Sequence, residues 1–143
     1  MGIKRLGTVL LLASIAACTT PETPESAAVK WGAPLDGAAI RAALSGATEK
    51  WNIVDREKPL NGTQSYSQDG TATGTYLWNN ATKGVYTVKW SIKNDLYCSI
   101  TVTMDNKPNN EPESCRKVYV KDGTYYWLST DGRLHANSTL TRS

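Results

Sequence analysis

The stretch Val85-Tyr86-Thr87-Val88-Lys89-Trp90-Ser91-Ile92-Lys93-Asn94-Asp95-Leu96-Tyr97-Cys98-Ser99-Ile100-Thr101-Val102-Thr103 decides the fold class. Tyr86, Val88, Trp90 and Ile92 alternate with Val85, Thr87, Lys89 and Ser91, the two-residue period of a strand that is apolar on one face. Leu96, Cys98, Ile100 and Val102 alternate in the same way with Tyr97, Ser99, Thr101 and Thr103, and the aliphatic set is expected to face the core. Lys93, Asn94 and Asp95 suffice for a turn, so the two runs form an antiparallel hairpin. One detail resists. Val118 and Val120 lie on the opposite face from Cys115 by strict alternation, so a core-facing Cys98 could meet Cys115 only from a loop or across a bulge.

The same chemistry repeats on both sides of this hairpin. Asn61-Gly62, Asp69-Gly70, Lys83-Gly84, Asp122-Gly123 and Asp131-Gly132 read as turns. Between them lie runs rich in Thr, Tyr, Val, Ile and Trp, residues that suit a pleated surface. Closely spaced strands predict a mainly β fold, an antiparallel meander curled into a small barrel or half-barrel. One short helix precedes it. Asp36 is its expected N-cap, Leu35 and Ile40 have the spacing of a hydrophobic staple, and Gly46 stands where a left-handed C-terminal cap belongs. Residues 105–114 hold Pro108 and Pro112 among polar side chains and read as a loop.

The N-terminus predicts where the domain works. Lys4 and Arg5 precede an apolar run, 6–17, too short to span a bilayer but suited to a signal peptide. Small residues at 16 and 17 followed by Cys18 resemble the bacterial lipobox, whose cysteine becomes the acylated first residue; the plain alternative is an ordinary secretory signal cleaved nearby. The chain then divides into a signal peptide, 1–17, an acylated tether, 18–34, and one β-rich domain, 35–143. The tether holds Pro21, Pro24 and Pro34 with little to bury, and Trp31 is expected to dock onto the domain. Thr19, in place of Asp, resembles the sorting signal for the outer membrane. Loss of Lys4 and Arg5 takes the net charge from +3 to +1, without the clustered basic face of a nucleic-acid binder. With Cys18 assigned to lipid, Cys98 and Cys115 remain as a pair, expected to form a disulfide in an oxidising envelope.

No catalytic constellation emerges. His135 is the sole histidine, no nucleophile elbow is present, and His135 is expected to be an ordinary surface residue of a C-terminal strand. Ligands for zinc are lacking, and the acidic loop around Glu111 and Glu113 lacks the spacing of a calcium loop. Neither a metal nor another cofactor is expected, and the chain is not read as an enzyme. The aromatics are the better lead, since all twelve are Trp or Tyr, each coupling an apolar ring to a polar handle. Tyr76 and Trp78 form one candidate binding group, and Tyr125, Tyr126 and Trp127 another. Three consecutive rings cannot share one face of a strand, so at least one must point away from the core.

A family resemblance rests on Leu35, Ile40, Leu44, Gly46 and Thr48, on Tyr66 through Asp69-Gly70, and on Gly84, Val88, Trp90, Leu96, Cys98, Cys115, Val118, Asp122-Gly123, Tyr125 or Tyr126 and Asp131-Gly132. In that order they resemble an alphaproteobacterial family of small exported proteins, many of them lipoproteins, of unknown function. The resemblance implies export, a disulfide and a β-rich fold, and it carries over no catalytic residue. The stretch from Asp122 to Trp127 is faintly similar to periplasmic lysozyme inhibitors, and the tether to the arm of bacterial metalloprotease inhibitors. The reading that follows is an outer-membrane lipoprotein, held by its lipid anchor, acting as a structural or binding module for an envelope protein or glycan. Inhibition of lysozyme or of a protease is the alternative.

Overall fold

The computed structural model describes residues 30–143. The expected signal peptide, the acylated Cys18 and the tether as far as residue 29 lie outside the described residues. The order of elements is β1 (Ala33–Pro34), α1 (Gly37–Leu44), β2 (Thr48–Ile53), β3 (Leu60–Tyr66), β4 (Thr71–Trp78), β5 (Thr82–Lys93), β6 (Leu96–Met104), β7 (Lys107–Pro108), β8 (Ser114–Lys121), β9 (Thr124–Ser129) and β10 (Leu134–Thr141).

Eight of these strands close into an antiparallel barrel, β2 through β6 and then β8 through β10. Closure occurs twice. Strand β10 returns to β2 along six residue pairs, Ala136↔Ile53 to Thr141↔Thr48. Strand β8 meets β6 through Tyr97↔Arg116, Cys98↔Cys115 and Ser99↔Ser114 alone. The Cys98–Cys115 disulfide crosses this short seam at its middle pair.

Local chemistry accounts for the connections. In the β5–β6 hairpin Asn94 and Asp95 both take positive φ, 49° and 61°, and Asp122-Gly123 does the same between β8 and β9. These are two-residue turns whose twist matches that of the flanking strands. Helix α1 is capped as its sequence predicts: the Ala39 N–H donates to Asp36 Oδ1 at 2.8 Å, and Gly46 has φ 75°. A second carboxylate fixes the helix to the barrel, because the Gly37 N–H donates to Asp95 Oδ1 of the β5–β6 turn at 2.8 Å. Ile40 and Leu44 on its buried face join Tyr66, Trp90, Tyr97 and Trp127 and close that end of the barrel.

Two sequence expectations are overturned. The first concerns β6. Tyr97 lies in the core, between Trp90 and Trp127, so alternation turns Tyr97, Ser99 and Thr101 inward and Leu96, Cys98 and Ile100 outward. Cys98 is fully buried but on the outer side, directly opposite Cys115, which belongs to a strand and needs neither loop nor bulge to reach it. The second concerns Asn61-Gly62 and Lys83-Gly84, which lie inside β3 and β5. A Cβ on Gly62 would come within 2.6 Å of the Trp51 ring, and one on Gly84 within 2.3 Å of the Tyr76 ring. These glycines leave room for a ring from the next strand, which is why they stand in strands. Ahead of α1, Ala33 and Pro34 pair with Val120 and Tyr119, and Trp31 docks on Tyr126, as its sequence context predicts, with ring centroids 5.0 Å apart.

The outer wall is polar over β2, β3, β5 and β10, where Lys50, Asn52, Asn61, Lys83, Lys89 and Asn137 stand at outward positions, and it carries an apolar cluster over β8 and β9. Among the described residues no helix is long and apolar enough to cross a membrane.

Candidate functional site

With α1 closing one end, the barrel is open at the other, and a cavity of about 510 Å³ runs inward from that mouth. Its layers follow from the strand register. Glu49, Gln64, Tyr66 and Tyr97 form the floor, all buried. Trp51, Tyr76, Tyr86, Ser99, Thr101 and Arg116 form the wall. Leu60, Trp78, Met104, Arg56, Glu111 and His135 surround the mouth.

The floor is a hydrogen-bonded network centred on Glu49. The Tyr66 hydroxyl donates to Glu49 Oε2 at 2.6 Å, and Trp127 Nε1 donates to Ser138 Oγ at 2.8 Å beside it. Burial pushes the Glu49 carboxyl above its ordinary range, against hydrogen bonds from Ser138, Tyr66 and Trp127 that favour the charged form. Burial likewise pushes the Tyr97 hydroxyl up to about 12 and raises that of Tyr66 well above its ordinary value, so both stay protonated donors. Polar groups shut from water persist only when bonded, and this network meets that requirement.

Aromatic rings make the wall. The Trp51 indole N–H donates to the Tyr86 hydroxyl at 2.7 Å, locking two rings of the wall together. Gly62 and Gly74 make space for them, since a Cβ on Gly74 would come within 2.5 Å of the Tyr86 ring. The Tyr76 hydroxyl donates to Asp105 Oδ2 at 2.8 Å, which fixes that ring as well. At the mouth, the Arg56 guanidinium stacks over the Trp78 ring, 5.9 Å from its centroid.

His135 is not the ordinary surface residue the sequence suggested. The β9–β10 register shifts between Leu134 and Ala136, so His135 occupies a bulge that turns its ring to the mouth. There its Nδ1 lies 2.7 Å from Asp55 Oδ2.

The candidate aromatics divide. Tyr76 and Trp78 line the cavity, as does Trp127, which is buried at its inner end. Tyr125 packs on the core cluster. Tyr126 points to the outer face, as alternation requires, and is half-covered there by Trp31 in a small cluster with Tyr119, Leu128 and Leu134. None of these three consecutive rings is exposed. Trp51, Glu49, Gln64 and Arg116 are cavity residues that the sequence reading passed over. A strand glycine opposite an aromatic on the next strand, Gly62 with Trp51 or Gly74 with Tyr86, is the signal that could have found the wall.

Cys98, Glu113 and Cys115 are the metal-ligand type grouping among the described residues, and its two sulfurs are bonded to each other. The cavity can therefore bind, stack and hydrogen-bond a ligand. At its mouth His135 and Asp55 pair a base with an acid, and among the described residues no hydroxyl is hydrogen-bonded to that ring. The chain matches no family model, no curated protein and no solved structure, so the functional reading rests on this geometry.

Proposed function

We propose that the protein is an envelope lipoprotein of the outer membrane, anchored through Cys18, whose barrel binds a glycan fragment in its open cavity. The observation that carries the reading is the cavity itself, about 510 Å³, walled by Trp51, Tyr76, Trp78 and Tyr86 and floored by hydrogen-bonded Glu49, Gln64, Tyr66 and Tyr97. A volume in the range of small-ligand sites, at the mouth of a β-barrel, is the usual setting for such binding. Aromatic faces fit the apolar faces of sugar rings, and a floor rich in hydroxyl, amide and carboxyl groups fits their hydroxyls. The run ending in Cys18 and the disulfide both support an exported, anchored protein.

A glycan is favoured over a protein partner by the character of the outer wall. Among the described residues the exposed large hydrophobics are Val54 and Val85, and no aromatic anchor of the kind that dominates protein interfaces stands free. Calorimetric titration with soluble N-acetylglucosamine oligomers tests the reading. Trp78→Ala, at the half-buried mouth, is expected to weaken binding by about 2 kcal/mol while leaving the melting temperature near that of the native chain. Absence of heat with any soluble envelope sugar, or binding indifferent to Trp78, contradicts it.

A further inference from the structure

We propose that the cavity selects a sugar that carries a carboxylate, with Arg116 as the residue that holds it. The inference rests on the reading of the barrel as a glycan-binding module. Arg116 stands opposite Tyr97 across the β6–β8 seam, so its side chain enters the barrel. One Nη1–H donates to the Cys115 carbonyl at 2.9 Å. Its Nε is shut off from solvent and has no acceptor. Among the described residues no carboxylate forms an ion pair with the group: Glu111 lines the same cavity at its exposed mouth without pairing to it, and three other neighbouring acids are engaged elsewhere. Asp55 holds His135 at 2.7 Å, Asp131 holds Arg133 at 2.6 Å, and Glu113 holds Lys93 at 2.7 Å.

A half-buried cation with unfilled donors is a costly thing to keep, since removing charge from water is offset only by acceptors. Burial lowers the hold of the guanidinium on its proton, and the more distant charges of Asp55 and Asp131 only partly compensate. The buried Nε–H is as far from a ligand's reach as from water's, but the Nη–H donors of a guanidinium that lines the cavity suit a carboxylate, which would supply an acceptor there. Ser99 and Ser114, paired across the same seam, place two hydroxyls beside it. The floor acid Glu49 has its carboxyl pushed towards the neutral form, which eases the approach of a second carboxylate. A fatty acid would satisfy Arg116 equally well, but its tail would lie against Gln64, Ser99 and Thr101. A sugar ring can bond to all three.

N-acetylglucosamine and N-acetylmuramic acid differ by one lactyl ether and its carboxylate, and they form the test pair, with octanoate as a third probe. N-acetylmuramic acid is expected to bind about tenfold to a hundredfold more tightly than the neutral sugar, the span of one charge-assisted hydrogen bond. In Arg116→Gln the two sugars should bind with equal affinity, with the ratio in Arg116→Lys falling between that and the native one. Should both variants fail to fold, the Arg116 Nε–H resonance of the native protein serves instead, moving with N-acetylmuramic acid and not with N-acetylglucosamine. Equal affinity for the two sugars overturns the carboxylate clamp and leaves the glycan reading intact. Binding of neither sugar overturns both, and tight binding of octanoate alone, lost in Arg116→Gln, assigns the clamp to a fatty acid and overturns the sugar.

Discussion

Removal of the Cys98–Cys115 disulfide should open the barrel at one defined place. The bond joins residues separated by 17 positions, and a cross-link closing a loop of that length stabilises by about 3 kcal/mol in the chain-entropy model. Its position adds to this. Strands β6 and β8 share three residue pairs, whereas β4–β5 and β5–β6 share eight each, so the seam is the weakest joint of the ring and the disulfide sits at its centre. The double variant Cys98→Ala/Cys115→Ala is therefore expected to lose about 3 kcal/mol in denaturant unfolding. Its melting temperature should fall by about 12–15 °C, the shift such a loss produces in a domain of little over 100 residues. Hydrogen exchange separates a seam effect from a global one. Amides of residues 97–99 and 114–116 should lose protection beyond the global change, while those of the β3–β4 pairing should follow global stability alone. A double variant within about 1 kcal/mol of the native protein, or one whose exchange rises evenly around the barrel, refutes the reasoning.

Three further outcomes are expected. Cys18→Ser should release the protein from membranes in cell fractionation while leaving the domain folded, because acyl chains would supply the anchoring at about 0.8 kcal/mol per buried methylene. Glu49, whose folded-state pKa is raised by burial, binds its proton more tightly folded than unfolded, so its contribution to stability falls as pH rises from the ordinary carboxyl value through the raised one. Stability of Glu49→Gln minus that of the native chain should thus increase over that window, at up to about 1.4 kcal/mol per pH unit, and a flat difference from pH 4 to 8 speaks against a raised value. Gly62→Ala should destabilise by about 1–3 kcal/mol through overpacking against Trp51 and the Thr75 carbonyl, and a variant of native stability would mean that the Trp51 ring does not lie over that strand.

What could be read from the sequence was local, and what could not was decided across the barrel. The β5–β6 hairpin, the Asp36 cap, Gly46 and the Asp-Gly turns each depend on residues within a few positions of one another. The inward face of β6 does not. Alternation offers two faces, and hydrophobicity, the usual tie-breaker, pointed to Leu96, Cys98 and Ile100. A barrel with an open cavity lines its interior with Ser99 and Thr101, so the tie-breaker reverses there. Asn61-Gly62 has the form of a turn, and only Trp51 on the neighbouring strand makes that glycine a strand residue. The place of His135 is set by a one-residue register shift against β9, which no periodicity within β10 contains. Tyr76 and Trp78 were found because aromatic clustering survives in sequence; Trp51 and Arg116 were missed because their neighbours in space are far along the chain.

The five tryptophans turn the cavity into its own reporter, since each indole N–H gives a separate resonance in a nitrogen-edited NMR spectrum. Trp51 and Trp78 line the cavity, Trp90 lies beyond its floor with its N–H on the Thr71 carbonyl, and Trp31 rests on Tyr126 outside the barrel. Titration with the disaccharide of N-acetylglucosamine and N-acetylmuramic acid should move the Trp51 and Trp78 signals saturably and leave Trp31 and Trp90 in place. A spectrum unchanged at saturating sugar, or one in which Trp31 alone moves, would contradict binding inside the barrel.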